Sequence, residues 1–140
     1  MRKITESEIE EFSIELLEGL SYKYIYGPDI APDGETPERA SFEDLLLLER
    51  LRTAARRINP VLPVTAIEDA VKQIQRIHSP QLIANNETFH RLLTEGVKVS
   101  YQKDGRERGD LVWLVDFQNP DNNDFVVCNC LLYTSDAADE

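Results

Sequence analysis

Carboxylates are the side chains here best suited to chemistry, because two or three of them together can hold Mg²⁺ and activate water. The chain has 26 Asp and Glu against 15 Lys and Arg, with a formal net charge of −11. Glu10 lies in the acid-rich stretch SEIEE near the start. By residue type alone it is one more exposed acid of a first helical turn, favoured there by the helix dipole. Most of the other acids are expected to form a solvated surface.

Histidine and cysteine offer weaker candidates for chemistry. His78 and His90 are twelve residues apart, with no cysteine or carboxylate cluster at metal-ligand spacing around them. Cys128 and Cys130 flank a single residue, which suits neither a disulfide framework nor a four-ligand zinc site. We therefore interpret the histidines as structural or exposed and the cysteines as free thiols.

Basic and aromatic clusters have two possible roles each. The arginines within residues 50–57 could touch DNA phosphates, but such clusters more often decorate a helix surface, and we assign them no role. Tyr22, Tyr24 and Tyr26 could stack unpaired bases, yet alternating aromatics in a strand more commonly pack in a core. Packing is the preferred interpretation.

The element that carries Glu10 is a helix with three agreeing start signals. Thr5 is the expected N-cap, Glu8 completes a capping box, and Ile4 with Ile9 forms a hydrophobic staple. Helical spacing then predicts one packed stripe, made of Ile9, Phe12, Leu16, Leu17 and Leu20. The segment YKYIYG that follows favours a short strand ended by Gly27-Pro28.

The remaining elements divide into a helical and a strand-rich part. Residues 28–41 predict an irregular surface loop, and helices are expected at Phe42–Ile58, Ala66–Ile77 and Pro80–Thr94. The middle helix has a clear apolar face, which indicates packing. Beyond Gly96, strands VKVSYQ, DLVWLVDF and FVVCN predict a meander, with Asp104-Gly105 as a hairpin turn.

Composition bounds the class of protein. A chain of 140 residues with 41% apolar residues is long enough for one folded domain. No apolar run approaches the roughly 20 residues that span a bilayer, and no secretory signal begins the chain, so we expect no membrane and a cytoplasmic location. The negative charge opposes DNA binding through a generally basic surface. It also suggests, weakly, an acidic DNA mimic.

Three segments together resemble a known family. They are ITESEIEEFSIELLEGLSYKYIYGPDIAPDGETPER, NNETFHRLLTEGVKVSYQKDGRERGD and DFQNPDNNDFVVCN, and they are similar to the N-terminal region of type I restriction enzyme R subunits. The likeness covers nearly all of residues 1–129. One departure is Ser21, where the family usually has Gly, which predicts strain at the end of the first helix.

The resemblance implies a mixed α/β (α+β) fold: an incomplete restriction-endonuclease-like PD-(D/E)xK core with an inserted helical segment and a C-terminal β-meander. It implies a Mg²⁺-dependent, ATP-dependent nuclease that acts on double-stranded DNA with modification and specificity subunits. The family's catalytic PD and ExK residues follow the position of Asn129. Pro28-Asp29 and Pro120-Asp121 share only the letters of that motif and are expected to be turns. No GxxxxGK[ST] phosphate loop is present.

Glu10 matches the helix-borne acid that joins the metal site in related nucleases, so the resemblance makes it our one catalytic and metal-binding candidate. The end of the chain, CLLYTSDAADE, resembles a translated sequencing-library adapter, and we expect residues 130–140 to be a non-native tail. We therefore expect an inactive fragment of the endonuclease subunit. The alternative is a non-catalytic interaction module whose helices dock other subunits of the restriction complex.

Overall fold

The computed structural model describes residues 2–77 and 80–129, a mixed α/β arrangement in two compact units. The first unit joins residues 1–47 to the segment from Phe125 onward, and the second comprises residues 48–124. Expectations for His78, for Cys130 and for the tail at 130–140 lie outside the described residues. None of the helices in the described ranges is long and apolar enough to cross a membrane.

The first unit is built from helix α1 and a pair of short strands. Helix α1 spans Glu6–Gly19, strand β1 spans Lys23–Ile25, a four-residue helix α2 spans Gly27–Ile30, and strand β4 spans Val126–Cys128. Strands β1 and β4 pair in parallel, with Tyr24 opposite Val127. A parallel pair needs a crossover connection, and here the second unit lies within it in the sequence.

The first helix begins as predicted, but it packs a different face. Thr5 caps α1 and Glu8 completes the capping box. The prediction that this stripe packs is wrong except at Leu17, which is half-buried. The other four members of the stripe, and Ile4, are between 55% and 73% exposed. We call the exposed set the α1 stripe; it consists of Ile4, Ile9, Phe12, Leu16 and Leu20.

The segment predicted as a surface loop is partly buried. Ile30, Ala31 and Arg39 are all less than a tenth exposed. The Arg39 guanidinium donates to the carbonyl oxygens of Asp44, at 2.9 Å, and of Phe42. The Asp44 carboxylate in turn accepts from the amides of residues 40 and 41. These bonds hold residues 39–44 in turns, which is why the next helix starts later than Phe42.

The second unit packs three helices and a hairpin. Helix α3 spans Leu48–Ile58, α4 spans Val64–Gln75 and α5 spans Leu82–Glu95. Strands β2, Val97–Lys103, and β3, Arg106–Val112, form an antiparallel hairpin. The apolar face predicted for α4 is confirmed, and α4 packs on β2 and β3. A 3₁₀ turn spans Pro120–Asn122.

The predicted meander is correct only for the hairpin. Asp104 and Gly105 both have positive φ, as an Asp-Gly hairpin turn requires. Strand β3 starts directly after that turn and ends at Val112, short of the predicted Phe117. The third strand leaves the hairpin and pairs with β1 instead. The physical reason is that residues 116–123 fold into a side-chain-stabilised turn that redirects the chain.

Candidate functional site

Glu10 lies on the face of α1 that packs against β1 and β4. Glu10, Ile14 and Leu17 are half-buried and recur at the i, i+4 and i+7 positions of one helix face. Glu11 and Glu15, on other faces, are exposed. Burial therefore distinguishes Glu10 from Glu11 and Glu15, whereas Glu8 is half-buried beside Arg2 at the helix start.

The capping box fixes the start of α1 and so the face on which Glu10 lies. The Thr5 hydroxyl accepts from the Glu8 amide at 3.2 Å, and the Glu8 carboxylate accepts from the Thr5 amide at 2.9 Å. Glu8 also forms an ion pair with Arg2. Both contacts of Glu8 therefore stabilise the start of α1.

The strand pair beside α1 is held by contacts that the sequence pattern did not reveal. The Lys23 amide donates to the Phe125 carbonyl at 2.8 Å, and the rings of Tyr22 and Phe125 lie 5.2 Å apart. The Gly27 amide donates to the Asn129 side-chain oxygen at 2.8 Å. These contacts join residues about one hundred positions apart: the first two lie at the amino ends of β1 and β4, and the bond of Gly27 to Asn129 lies just past their carboxyl ends.

A magnesium site is not complete within the described residues. Across 2–77 and 80–129, no group of three or more His, Cys, Asp or Glu side chains is arranged to hold a metal ion. Magnesium requires near-octahedral oxygen ligation, to which a protein usually contributes one or two carboxylates. Glu10 could supply one such carboxylate, but Glu10 by itself does not complete the ligand set.

The arginines of α3 are engaged within the protein. Arg50 pairs with Asp124 at 2.9 Å, and Arg52 pairs with Glu49 at 2.6 Å and with Glu68. The hydrogen bond to Glu49 is the main cause that raises the pKa of Arg52. Arg56 lies 3.7 Å from Glu68, and Arg57 donates to the Asn122 carbonyl at 2.9 Å. These contacts agree with the structural interpretation of this cluster.

The other predicted candidates are not brought together with Glu10. His90 is exposed on α5 in the second unit. The packing predicted for the tyrosines is confirmed for Tyr22, which packs on the Phe125 ring just before β1, but it is wrong for Tyr26, which is 52% exposed. Both Pro-Asp dipeptides lie in short helical turns, Gly27–Ile30 and Pro120–Asn122, in agreement with the turn prediction.

Two polar anchors of the second unit were missed by sequence reasoning. Buried Asn59 donates to the carbonyls of Ala55 and Trp113 and accepts from the Trp113 amide, at 2.7 to 2.9 Å. The Asp116 carboxylate accepts a hydrogen bond from the Asn119 amide at 2.9 Å. This bond and a second one from the Asn122 side chain lower the pKa of Asp116. The only available signals were an Asn before Pro60, which marks the end of a predicted helix, and an Asp before an Asn-rich turn, which was assigned to the predicted strand DLVWLVDF.

Comparison with known proteins assigns the family. The family model described as type I restriction enzyme R protein N terminus matches residues 3–139. The endonuclease subunit of the type I restriction enzyme HindI from Haemophilus influenzae is 34% identical over 128 residues, 91% of this chain and 12% of that relative. The putative type I restriction enzyme MjaIXP endonuclease subunit from Methanocaldococcus jannaschii is 31% identical over 121 residues, 86% of this chain and 11% of that relative. No solved structure matches.

The chain belongs to the family of type I restriction enzyme R protein N-terminal regions. It spans about an eighth of the length of the curated relatives that it matches, which are endonuclease subunits of type I restriction enzymes.

Proposed function

We propose that this chain forms the N-terminal part of the nuclease domain of a type I restriction endonuclease subunit that cuts double-stranded foreign DNA in the cytoplasm. The intact subunit would act with modification and specificity subunits, with Mg²⁺ for cleavage and ATP for its motor. The described residues would contribute the first helix and two strands of a restriction-endonuclease-like PD-(D/E)xK core.

The observation that carries this proposal is the packing of α1 on a parallel strand pair, with half-buried Glu10 in line with Ile14 and Leu17 on one helix face. Glu10 is half-buried beside Ile14 and Leu17, while the neighbouring acids Glu11 and Glu15 are exposed. Burial of a carboxylate costs desolvation free energy, and an interaction within the chain offsets part of that cost for Glu10. A role in the nuclease site would account for an acid at this position.

Glu10 is proposed as one carboxylate ligand of the nuclease Mg²⁺ in the intact enzyme. The ion, when bound, would activate water and neutralise charge on the scissile phosphate. Within this chain, Glu10 would supply an oxygen from a helix whose start is fixed by the capping box of Thr5 and Glu8. We also propose that the chain alone is inactive, because Glu10 by itself would not complete an octahedral ligand set.

The test is Glu10→Ala in the intact enzyme, assayed separately for DNA cleavage and ATP-driven translocation. We expect cleavage to fall at least about 100-fold, the upper end of the range that loss of even an outer-shell metal partner costs. Translocation should be unchanged, because the motor site is separate. Glu11→Ala is the matched control and should be nearly silent in both assays.

Two outcomes would contradict the role of Glu10. One is cleavage by the Glu10→Ala enzyme at the wild-type rate. The other is a parallel fall of both activities, which indicates misfolding. A Glu10→Gln variant, which keeps size but removes charge, separates loss of a ligand from loss of packing.

The alternative function, a non-catalytic docking module, has one observation in its favour. None of the side chains described for α5 is buried, and Leu82 and Ile83 are 72% and 81% exposed. A docking module predicts that Leu82→Asp with Ile83→Asp abolishes assembly with the specificity and modification subunits, while Glu10→Ala cleaves normally. The nuclease proposal predicts the reverse for Glu10→Ala.

A further inference from the structure

The net negative charge of the chain comes from one of its two units. Residues 1–47 and 125–140 contain four Lys and Arg against fifteen Asp and Glu, which accounts for the whole of the −11. Residues 48–124 contain eleven of each sign and are neutral. Net negative charge therefore opposes DNA contact by the first unit alone.

Within the neutral unit, some basic side chains bind partners of the same unit and others do not form ion pairs. The arginines of α3 bind acids or a carbonyl oxygen of the same unit. Lys103, Arg106 and Arg108, near the end of the hairpin, are exposed. Among the described residues, none of these three is in an ion pair.

The strand register brings these three cations to one face of the hairpin. Lys103 is opposite Arg106, and Tyr101 is opposite Arg108, and directly opposed residues of an antiparallel pair share a face. The same face begins at Val97 and Val99, which are buried at the base of the hairpin. We call Lys103, Arg106 and Arg108 the hairpin cations.

The acids of the hairpin do not neutralise this face at its outer end. Glu107 is opposite Gln102 on the other face, where it accepts from the Ser100 hydroxyl at 2.6 Å. Asp110 is nearer the base and accepts from the Tyr101 hydroxyl at 3.2 Å. Asp104 is in the turn itself. The outer part of the face therefore carries three positive charges.

We propose that the hairpin cations bind the phosphodiester backbone of double-stranded DNA. This inference rests on the proposed function and adds a DNA contact outside the unit that holds Glu10. A two-stranded ribbon fits the major groove of a duplex. Arg106 and Arg108, two residues apart on a strand, are separated by about 7 Å, so their long side chains can reach different phosphates of one DNA strand.

The test compares two variants with equal loss of charge. Lys103→Gln, Arg106→Gln and Arg108→Gln are combined in one, and Lys3→Gln, Lys72→Gln and Arg91→Gln, all at exposed positions, are combined in the control. Binding of the 140-residue chain to a labelled 20-base-pair duplex is followed by fluorescence anisotropy, with EDTA present. We expect the hairpin variant to bind at least about tenfold more weakly at 50 mM salt, and the control within about twofold of wild type.

The salt dependence gives a second readout. Three lost phosphate contacts should make the slope of log K against log salt shallower by about 2.7, from about 0.9 per contact. Circular dichroism checks that both variants fold. Equal weakening of the two variants would attribute binding to bulk charge and overturn the proposal, as would a wild-type chain that does not bind the duplex at 20 mM salt. Neither result touches the Glu10 comparison, which is read as cleavage by the intact enzyme.

Discussion

Ser21 occupies a backbone conformation that favours glycine. Helix α1 ends in a Schellman motif, in which the Tyr22 amide donates to the Leu17 carbonyl and the Ser21 amide to the Glu18 carbonyl. Ser21 has a φ of 74°, in the left-handed region. For a residue with a Cβ this conformation costs roughly 1–2 kcal/mol. The strain expected from its departure from the family pattern is therefore present at the backbone.

Ser21→Gly should raise the free energy of unfolding by about 1 kcal/mol, because relief of strain outweighs the added freedom of the unfolded chain. Equilibrium urea unfolding measures the change. Ser13→Gly, in the middle of the same helix, is the matched control and should lower stability by roughly 0.5–1 kcal/mol. A destabilising Ser21→Gly would show that the left-handed conformation is not strained.

At the scale of elements, local signals predicted structure well where the partner is near in sequence. The capping box of Thr5, the apolar face of α4 and the Asp104-Gly105 turn all act within a few residues, and the structure has all three. The prediction that α1 packs through its apolar stripe failed for a different reason. Periodicity identified an apolar face correctly, but the described residues pack on a face about a third of a turn away.

Burial predicts a large loss of stability for an alanine substitution on α4 and a small change for one on α1. Ile67, in the core face of α4, is 1% exposed, whereas Phe12, in the α1 stripe, is 61% exposed. Ile67→Ala should cost about 2–5 kcal/mol through lost burial and a cavity. Phe12→Ala should change stability by less than about 0.5 kcal/mol.

Urea unfolding of the 140-residue chain at one protein concentration compares the two variants. An equally large loss for Phe12→Ala would mean that the stripe is covered in solution.

For the whole molecule, the pairing of β1 with β4 is what sequence reasoning could not supply. A meander is the simplest connection for successive strands, and no local signal marks Val126 as a partner of Lys23. The candidate site has the same limit, because a metal site gathers carboxylates from distant positions. Glu10 was singled out by family resemblance, since its residue type and spacing do not separate it from Glu8 or Glu11.

The uneven division of charge predicts an uneven response to salt. Fifteen acids against four basic residues repel one another in the first unit, whereas the second unit is balanced. Raising NaCl from about 20 to 300 mM shortens the screening length from roughly 20 Å to below 8 Å and weakens this repulsion. Amide hydrogen exchange should therefore slow more in β1 and β4 than in β2 and β3. Equal slowing in both strand pairs would contradict this expectation.

The parallel pairing of β1 and β4 also sets an order of events during synthesis. Lys23 pairs with Val126, so β1 must wait for about one hundred further residues to leave the ribosome, roughly 5–20 s at 5–20 residues per second. Residues 48–124 are continuous and can fold during that interval. Until β4 emerges, α1 exposes its packing face as well as its apolar stripe, and the nascent chain is then most dependent on chaperones.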